Sequence, residues 1–441
     1  MKLYSTRNQE HQVGLREALM RSMPPDGGLY MPASIPVLEK GKLEGMRGKN
    51  FRENAYTVLR ALLEDEVDPG SLETIIGEAF DFPVTLMELE SRQHVLELFH
   101  GPSLAFKDFG ARFMSRLMQY FRKDDPGDIQ ILVATSGDTG GAVAQGFKDL
   151  SGIRVTILYP SGRVSPLQRR QMTTASGNIR VLEVDGNFDD CQLLAKQAFG
   201  DQLLNGKIRL CSANSINIAR LIAQICYYFQ AWACLEDPSR ELFISVPSGN
   251  FGNLTAGLIA RRMGLPVKRF IASTNINDVV PAYLSSGHYQ PRDSEPTISS
   301  AMDVGAPSNF ERIMNLYQGD LRQVRDAVEG YRFTDAQTRG AIRDLYVRYG
   351  YIACPHTAVA WLGLRQFLSG YRPGNYSGIL LSTAHPAKFP EVYDADIRDR
   401  ITVPSRVNGT LERPERFHRI AVDYSRLRHI LMEHPERTPI G

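Results

Sequence analysis

The chain of 441 residues exceeds the length at which a single hydrophobic core keeps growing, so we expect two or more domains, or one domain with a large addition. Hydrophobic residues make up 43% and charged residues 23%, which is ordinary for a globular protein and excludes a chain that is disordered over most of its length. The 51 basic residues nearly balance the 49 acidic ones, so the chain has no large net positive charge that would attract nucleic acid or a membrane surface. Any anion site must therefore be local.

The cysteines and the start of the chain indicate a cytoplasmic protein. The five cysteines are odd in number, form no Cys-x-x-Cys pair and mostly lie in apolar contexts, which favours buried thiols in a reducing compartment. The residues after Met1 include no apolar stretch long enough for a signal peptide or a membrane span. We therefore expect neither a leader segment nor a membrane partner.

Residues 1–91 are predicted to form a separate, mainly helical N-terminal unit. Turn clusters interrupt the helical patterns, for example the Pro-Pro-Asp-Gly-Gly run at 24–28. No spacing of polar residues in this unit points to catalysis. The sequence therefore assigns the chemistry to the rest of the chain.

Beyond residue 91, apolar runs alternate with stretches of helical periodicity, which is typical of an α/β fold with parallel sheets. We divide this part into units at 92–236 and 237–441. The predicted strands are Ile129 to Ala134, Arg154 to Tyr159, Ile179 to Val184, Leu242 to Val246, Phe270 to Ser273 and Ser377 to Leu381. Because ligands bind beyond the carboxyl ends of parallel strands, the loops after these runs are candidate sites.

Lys107 lies among aromatic and small residues where an amphipathic helix is predicted to begin. The predicted buried face of this helix consists of Phe109, Phe113, Met114, Leu117, Met118 and Phe121. The positive end of the helix dipole and desolvation both lower the pKa of a lysine there, which favours a neutral amine that can form an imine. The alternative is a lysine that extends to the surface and pairs with Asp108 or another acidic neighbour.

Two loops share the order strand, small polar turn and helix start. One comprises Thr135, Ser136, Gly137, Asp138 and Thr139, with a helix predicted from about Gly141, and the other comprises Ser248, Gly249, Asn250, Phe251, Gly252 and Asn253. Backbone N–H groups and hydroxyls that converge at a helix N-terminus can hold a carboxylate or phosphate. Neither loop matches the P-loop or the dinucleotide fingerprint, and the alternative for each is a simple turn with a helix cap.

A third polar cluster, formed by Asn214, Ser215 and Arg220, heads an apolar helix that is predicted to run to about Cys234. In one interpretation these residues form an anion clamp whose charge is Arg220. In the other, the amide and hydroxyl groups only cap the helix and Arg220 forms a surface pair.

A buried strand ends at Thr383, whose hydroxyl can hydrogen-bond a ring nitrogen; the alternative is an ordinary polar turn. His356 and His385 are the two histidines considered for a role. Both are expected to serve in hydrogen bonding or packing, and no spacing of histidines and carboxylates predicts a metal site.

Taken together, five motifs resemble the threonine synthase family in sequence, order and spacing. They are Gly-Pro-Ser-Leu-Ala-Phe-Lys-Asp at 101–108, Ala-Thr-Ser-Gly-Asp-Thr-Gly at 134–140, Asn-Ser-Ile-Asn-x-x-Arg at 214–220, Val-Pro-Ser-Gly-Asn-Phe-Gly-Asn at 246–253 and Thr-Ala-His-Pro-Ala-Lys-Phe at 383–389. The resemblance extends from the first residues to about Glu391. It departs from the commonest pattern at Ser103, Asp138 and Cys354, so a contact of Asp138 with the phenolic oxygen of a cofactor is left open.

The resemblance implies a fold type II architecture that binds pyridoxal 5′-phosphate (PLP) between a small and a large α/β domain, after an N-terminal extension. By that match Lys107 carries PLP as a Schiff base, residues 248–253 hold the PLP phosphate, and Thr383 faces the pyridine nitrogen. The turn at 135–139 would bind the substrate carboxylate. Asn214, Ser215 and Arg220, with help from Thr139, would take the substrate phosphate.

The reaction implied by the resemblance is the last step of threonine biosynthesis, in which a PLP-dependent carbon–oxygen lyase converts O-phospho-L-homoserine and water into L-threonine and phosphate. Three predicted anion sites suit the cofactor phosphate, the substrate phosphate and the substrate carboxylate. One alternative is another fold type II enzyme, such as a serine or threonine dehydratase. The other is a non-catalytic relative that binds PLP or a phosphorylated metabolite. We expect a monomer or a weak homo-oligomer.

Overall fold

The computed structural model describes residues 1–64, 66–123, 125, 127–371 and 375–433. The C-terminal unit predicted from the sequence extends to residue 441, so its last residues, 434–441, lie outside the described part. Every residue predicted for the functional site lies within it. Among the described residues, no helix combines the length and the apolar character needed to cross a membrane.

The N-terminal region is helical, as expected, and also contains a small antiparallel sheet with the strand order β2-β1-β3. Its strands are β1 (Lys2–Ser5), β2 (Asn8–Gly14) and β3 (Tyr30–Pro32), and its helices are α1 (Leu15–Arg21), α2 (Lys40–Glu44), α3 (Phe51–Leu63) and α4 (Pro69–Ala79). Asn50 and Glu53 form a capping box that sets the start of α3.

A parallel five-stranded sheet has the order β14-β8-β7-β6-β9. Its strands are β6 (Ile129–Ala134), β7 (Ile153–Pro160), β8 (Ile179–Val184), β9 (Arg209–Ser212) and β14 (His418–Ile420). The helices of this part of the chain are α5 (Lys107–Arg122), α6 (Asp138–Phe147), α7 (Pro166–Thr173), α8 (Phe188–Gly200), α9 (Gln202–Asn205) and α10 (Ile218–Ala233).

A six-stranded sheet has the order β12-β11-β10-β13-β5-β4 and is parallel except for its edge strand β4. Its strands are β4 (Thr85–Glu90), β5 (Gln93–Glu97), β10 (Glu241–Pro247), β11 (Val267–Thr274), β12 (Val328–Arg332) and β13 (Tyr376–Ser382).

The remaining helices follow β10 along the chain. The α-helices are α11 (Gly252–Arg262), α12 (Val279–Ser286), α13 (Phe310–Leu316), α14 (Leu321–Ala327), α15 (Asp335–Tyr349), α16 (Pro355–Ser369), α17 (Ala395–Arg398), α18 (Asn408–Glu412) and α19 (Tyr424–Met432). Short 3₁₀ helices are Ser300–Met302, Pro386–Lys388, Pro390–Val392 and Ser405–Val407.

Two strands cross the division of the chain that we made from the sequence. β5 lies in the segment assigned to the unit 92–236 but pairs with β13 of the six-stranded sheet. β14 lies in the segment assigned to the unit 237–441 but pairs with β8 of the five-stranded sheet. Strand pairing of this kind is set by tertiary contacts more than by local sequence. Each sheet therefore contains a strand from the other segment.

The core confirms the predicted helix face and the predicted strands. Every residue of β6 is buried, and so is every residue of α10, which packs against α3, α5 and α11. The side chains predicted to form the buried face of α5 are at most 6% exposed. Because the parallel strands β6, β9, β10 and β13 are held rigidly by this core, the loops at their carboxyl ends are fixed in position.

Candidate active site

Lys107 is the first residue of α5 and is held against the end of β13. The Phe106 N–H donates to the Thr383 carbonyl oxygen at 2.9 Å, and Ala105 pairs with Ala384. The amine lies 4.5 Å from the centre of the Phe106 ring. Burial, and after it the positive charge of Arg220, lowers the pKa of Lys107 to about 8. The amine is thus far closer to its neutral, nucleophilic form than an exposed lysine.

The alternative of a surface lysine paired with Asp108 does not hold. The Asp108 carboxylate is buried and accepts from the Ser103 N–H at 2.8 Å. Burial raises the pKa of Asp108 to about 6. Within the described part of the chain, no carboxylate forms an ion pair with Lys107.

The turn after β6 brings its hydroxyls and backbone N–H groups to the start of α6. The Thr135 hydroxyl accepts from the N–H groups of Gly137 and Gly140, both at 2.9 Å. Gly137 has φ 130°, and a Cβ there would lie 2.6 Å from the Gln168 side chain, so only glycine fits. The helix begins at Asp138, one turn earlier than the predicted start near Gly141.

Asp138 belongs to a buried polar cluster with Lys388 and Gln168. Its carboxylate lies 2.7 Å from the Lys388 ammonium, which is fully buried, and accepts from the Gln168 amide at 2.9 Å. Burial alone would raise the pKa of Asp138, but the charge and hydrogen bond of Lys388 hold it below its ordinary value. Asp138 is therefore an ionised carboxylate whose charge is neutralised inside the protein.

The loop after β10 turns sharply into α11. Phe251 is left-handed, with φ 60°, and Gly252 begins the helix, whose first N–H groups lack partners within the helix. The Asn253 amide donates to the Pro247 carbonyl oxygen at 2.8 Å, and the Ser248 hydroxyl donates to the Val246 carbonyl oxygen at 2.9 Å. These bonds fix the turn before α11, and the N–H groups at that helix start can bind a phosphate.

The cluster of Asn214, Ser215 and Arg220 before α10 makes contacts that capping of the helix does not require. Asn217 caps the helix, whereas the Asn214 amide donates to the Ala134 carbonyl oxygen at the end of β6 and Ser215 contacts the loop after β10. Arg220 is 2% exposed and donates to the Ala213 carbonyl oxygen, and its Nε has no partner among the described residues. Burial lowers the pKa of Arg220 to about 10. A buried cation with a spare donor excludes the predicted surface pair.

Both histidines considered from the sequence are neutral. The His356 ring is buried, and its Nε2 accepts from the Ala301 N–H at 3.3 Å; burial lowers its pKa to about 4. The His385 ring accepts from the Ala387 N–H at 3.1 Å, and burial lowers its pKa to about 4. In the described parts of the chain, no cluster of histidine, cysteine, aspartate or glutamate side chains could hold a metal ion.

These loops surround one cavity of about 1090 Å³. Apart from Gly137 and Ser248, which are not among its lining residues, every predicted site residue lines it: Lys107, Thr135, Ser136, Asp138, Thr139, Asn214, Ser215, Arg220, Gly249, Asn250, Phe251, Gly252, Asn253 and Thr383. The N-terminal region also contributes to the cavity, through residues that include Arg7 and Arg21, and the sequence did not predict this contribution. The turn at 24–28 was predicted from the sequence, but none of its residues indicated a catalytic or binding role.

The residues of the cavity fit PLP. A lysine with a lowered pKa suits the aldehyde, the N–H groups at the start of α11 suit the phosphate, and Thr383 places a hydroxyl at the end of β13 without a full charge. The turn at the start of α6 and the cluster of Asn214, Ser215 and Arg220 also line the cavity, and they could bind two further anionic groups.

Comparison with known proteins also identifies a PLP-dependent enzyme. A family model described as pyridoxal-phosphate dependent enzyme matches residues 94–382, and models for the threonine synthase N terminus and C-terminal region match residues 2–80 and 357–431. The chain is 43% identical to threonine synthase of Escherichia coli K12 over 435 residues, which cover 98% of this chain and all of the relative.

Solved structures of threonine synthases match over almost the whole fold. The crystal structure of threonine synthase from Escherichia coli gives a TM-score of 0.89 at 41% identity and covers 98% of this chain and 99% of its own. The structure of PLP-bound threonine synthase from Brucella melitensis gives a TM-score of 0.91 at 34% identity and covers 98% of each chain. Fold and site together define a fold type II PLP-dependent enzyme. Within that class, the chain belongs to the threonine synthase family.

Proposed function

We propose that the chain converts O-phospho-L-homoserine and water into L-threonine and phosphate, with Lys107 as its central catalytic residue. The observation that carries the proposal is that three polar segments, at 135–139, 214–220 and 248–253, contribute residues to the same cavity as this one lysine. A substrate that bears a phosphate and a carboxylate needs two such sites beside that of the cofactor phosphate. Hydroxy-amino acids that lack phosphate would leave one of them without a ligand.

Each loop is assigned one anion. Residues 248–253 hold the PLP phosphate, and Thr383 hydrogen-bonds the pyridine nitrogen. Residues 135–139 hold the substrate carboxylate through the N–H groups and hydroxyls of the turn. Asn214, Ser215 and Arg220, with Thr139, hold the substrate phosphate, where the buried guanidinium supplies the charge.

Lys107 binds the cofactor and moves the protons. When bound, PLP withdraws electrons from the substrate and stabilises negative charge on the carbon next to the amine. The Lys107 amine, released when substrate binds, removes a proton at Cα and then at Cβ as phosphate leaves Cγ. It returns one of these protons to Cγ and the other to Cα, while water adds its hydroxyl at Cβ and its remaining proton leaves with the phosphate, so one lysine serves as base and acid.

The test is an assay of the purified protein for phosphate release and threonine formation from O-phospho-L-homoserine. We expect both products in equal amounts. Rapid turnover of serine or threonine, without phosphate release from the phosphorylated substrate, would support a dehydratase instead. Bound PLP with no turnover of either substrate would support the non-catalytic relative.

The lowered pKa of Lys107 predicts how PLP-free protein takes up PLP. Only the neutral amine attacks the aldehyde, so the rate of covalent uptake should rise about tenfold per pH unit in the acid range and level off above a pH of about 8. The change in absorbance at fixed PLP concentration measures this rate. A midpoint near the ordinary lysine pKa of about 10.4 would contradict the effect of burial.

Gly249→Ala is expected to weaken PLP binding. A Cβ at Gly249 would lie 2.7 Å from the Met302 Cα and 2.9 Å from the Ala301 carbonyl oxygen, so backbone must move. Overpacking of this kind costs about 1–3 kcal/mol, and we expect an affinity for PLP about 10-fold or more lower in equilibrium dialysis. Gly340→Ala is the control, since a Cβ there meets nothing within 4 Å. Equal affinity in both variants would contradict the prediction.

We also propose the three-part division at 1–91, 92–236 and 237–441, with β5 and β14 exchanged between the two sheets. The proposed compartment is the cytoplasm, in keeping with five free thiols, and the proposed state is a monomer or weak homo-oligomer without nucleic acid. Light scattering behind size-exclusion chromatography tests the oligomeric state.

A further inference from the structure

Arg312, in α13, is a fully buried guanidinium that does not line the cavity. Its Nε donates to the Tyr30 carbonyl oxygen at 3.1 Å. Its Nη1 donates to the Ser215 carbonyl oxygen at 2.9 Å and to the Asn309 Oδ1 at 2.6 Å, and its Nη2 donates to the Ile216 carbonyl oxygen at 2.6 Å. Arg312 thereby joins the N-terminal strand β3 to the loop that carries Ser215.

The charge of Arg312 has no counter-ion of its own. Among the described residues, no carboxylate forms an ion pair with it, and the adjacent Glu311 is held by Arg7. Burial lowers the pKa of Arg312 to about 9, although Glu311 partly opposes this shift. An uncompensated buried cation is costly, and four acceptors only partly offset the cost. Arg220, which donates to the Ala213 carbonyl oxygen of the same loop, also lacks an ion pair within the described chain.

The hydrogen bonds of Asn309 set the direction of the Ser215 hydroxyl. Because the Asn309 Oδ1 accepts from Arg312, its Nδ2 faces Ser215 and donates to Oγ at 3.1 Å. The Asn250 Nδ2 donates to the same Oγ at 2.7 Å, and its Oδ1 accepts from the Ser308 N–H. A serine oxygen accepts two hydrogen bonds and donates one. With both acceptor positions filled, the Ser215 hydroxyl is left as a donor toward the cavity that Ser215 lines.

We propose that Arg312 and Asn309 are positioning residues for the substrate phosphate, which hold the Ser215 hydroxyl as a phosphate donor and keep an uncompensated positive charge behind it. This proposal rests on the proposed function, because it concerns the phosphate clamp of the same cavity. Neither residue touches the substrate. Their effect reaches the phosphate through Ser215 and through the field of the guanidinium.

The decisive variant is Asn309→Asp. Aspartate keeps the size of the side chain and gives Arg312 a counter-ion, so the fold is retained. It cannot donate to Ser215, whose hydroxyl then turns to donate to the new carboxylate, and the added negative charge cancels that of the guanidinium. Arg312→Lys tests the other member of the pair, because lysine lacks the planar fork that reaches four acceptors. Arg343→Lys is the control, since Arg343 is exposed and pairs with Asp396 outside the cavity.

The readout compares two ligands of the PLP-loaded protein. Inorganic phosphate probes the clamp by titration calorimetry, and L-threonine, which has no phosphate, probes the rest of the site through the absorbance of the bound cofactor. We expect the dissociation constant of phosphate to rise about 10- to 100-fold in Asn309→Asp and Arg312→Lys, because hydrogen bonds to charged groups are lost. The dissociation constant of L-threonine should change less than about 2-fold, within the tolerance for independent sites.

Three outcomes would overturn the proposal: phosphate bound by Asn309→Asp as tightly as by the parent protein, equal losses for phosphate and threonine, or an equal loss of phosphate binding in Arg343→Lys. If Arg312→Lys fails to fold, Asn309→Asp still decides the question. Failure of the proposed function has a different signature, since the parent protein itself would then release no phosphate from O-phospho-L-homoserine.

Discussion

Lys107→Ala is expected to lower the turnover of O-phospho-L-homoserine by roughly 10⁴-fold, the upper end of what a positioned proton-transfer group contributes. Burial brings the Lys107 amine toward neutrality, and the hydrogen bond between Phe106 and Thr383 holds this part of the chain at the cavity. Alanine removes both the covalent link to PLP and the group that moves protons at Cα and Cβ. PLP should remain in the cavity through its phosphate, at lower affinity.

Two measurements check this result. Phosphate release gives the turnover, and borohydride reduction followed by peptide mass analysis shows whether the cofactor is fixed to residue 107. The control is Lys123→Ala, an exposed lysine just after the same helix, which should keep full turnover and the reduced adduct. An alanine variant at position 107 with undiminished turnover would refute the assignment of the catalytic residue.

The parts of the fold that the sequence predicts best are those whose hydrophobic pattern is decisive over a short stretch. The strand Ile129–Ala134 is apolar except for Gln130 and is buried on both faces, and the structure has the bounds predicted from the sequence. The buried face of α5 follows from spacing alone. Glycines and small polar residues after such strands identify two of the anion loops, because backbone geometry there depends on residue type.

The parts that the sequence does not predict depend on long-range contacts. β4 and β5 contain glutamates, a histidine and a glutamine, so their sequences show no apolar pattern that predicts a strand. β5 is a strand because it pairs with β13 in the folded chain. The sequence does not indicate that Arg312 is buried either, since an arginine in a helix is ordinarily exposed. Three of its four acceptors lie on Tyr30, Ser215 and Ile216, which come close to Arg312 only in the folded chain.

Arg220→Met is expected to lower kcat/KM for O-phospho-L-homoserine by about 10²- to 10³-fold. The guanidinium is 2% exposed and Arg220 lines the cavity, so in the proposed complex its charge acts on the substrate phosphate with little screening by water. Loss of one partner from a desolvated, hydrogen-bonded charge pair costs about 2–5 kcal/mol. Inorganic phosphate should bind more weakly by a similar factor, while L-threonine, which lacks the phosphate, should bind as before. Arg220→Lys should recover part of the loss, because lysine keeps the charge without the fork.

The stability of Arg220→Met separates a functional charge from a structural one. In the free protein Arg220 is a buried cation without an ion pair in the described chain, and burial lowers its pKa to about 10. Methionine has a similar length and removes the cost of burying an unpaired charge. The free energy of unfolding, measured in denaturant, should therefore stay equal or rise, although activity falls. A fall in stability as large as the fall in activity would mean that Arg220 mainly holds the loop through Ala213. Weaker phosphate binding in a protein that is no less stable would instead identify the substrate phosphate as the missing counter-ion.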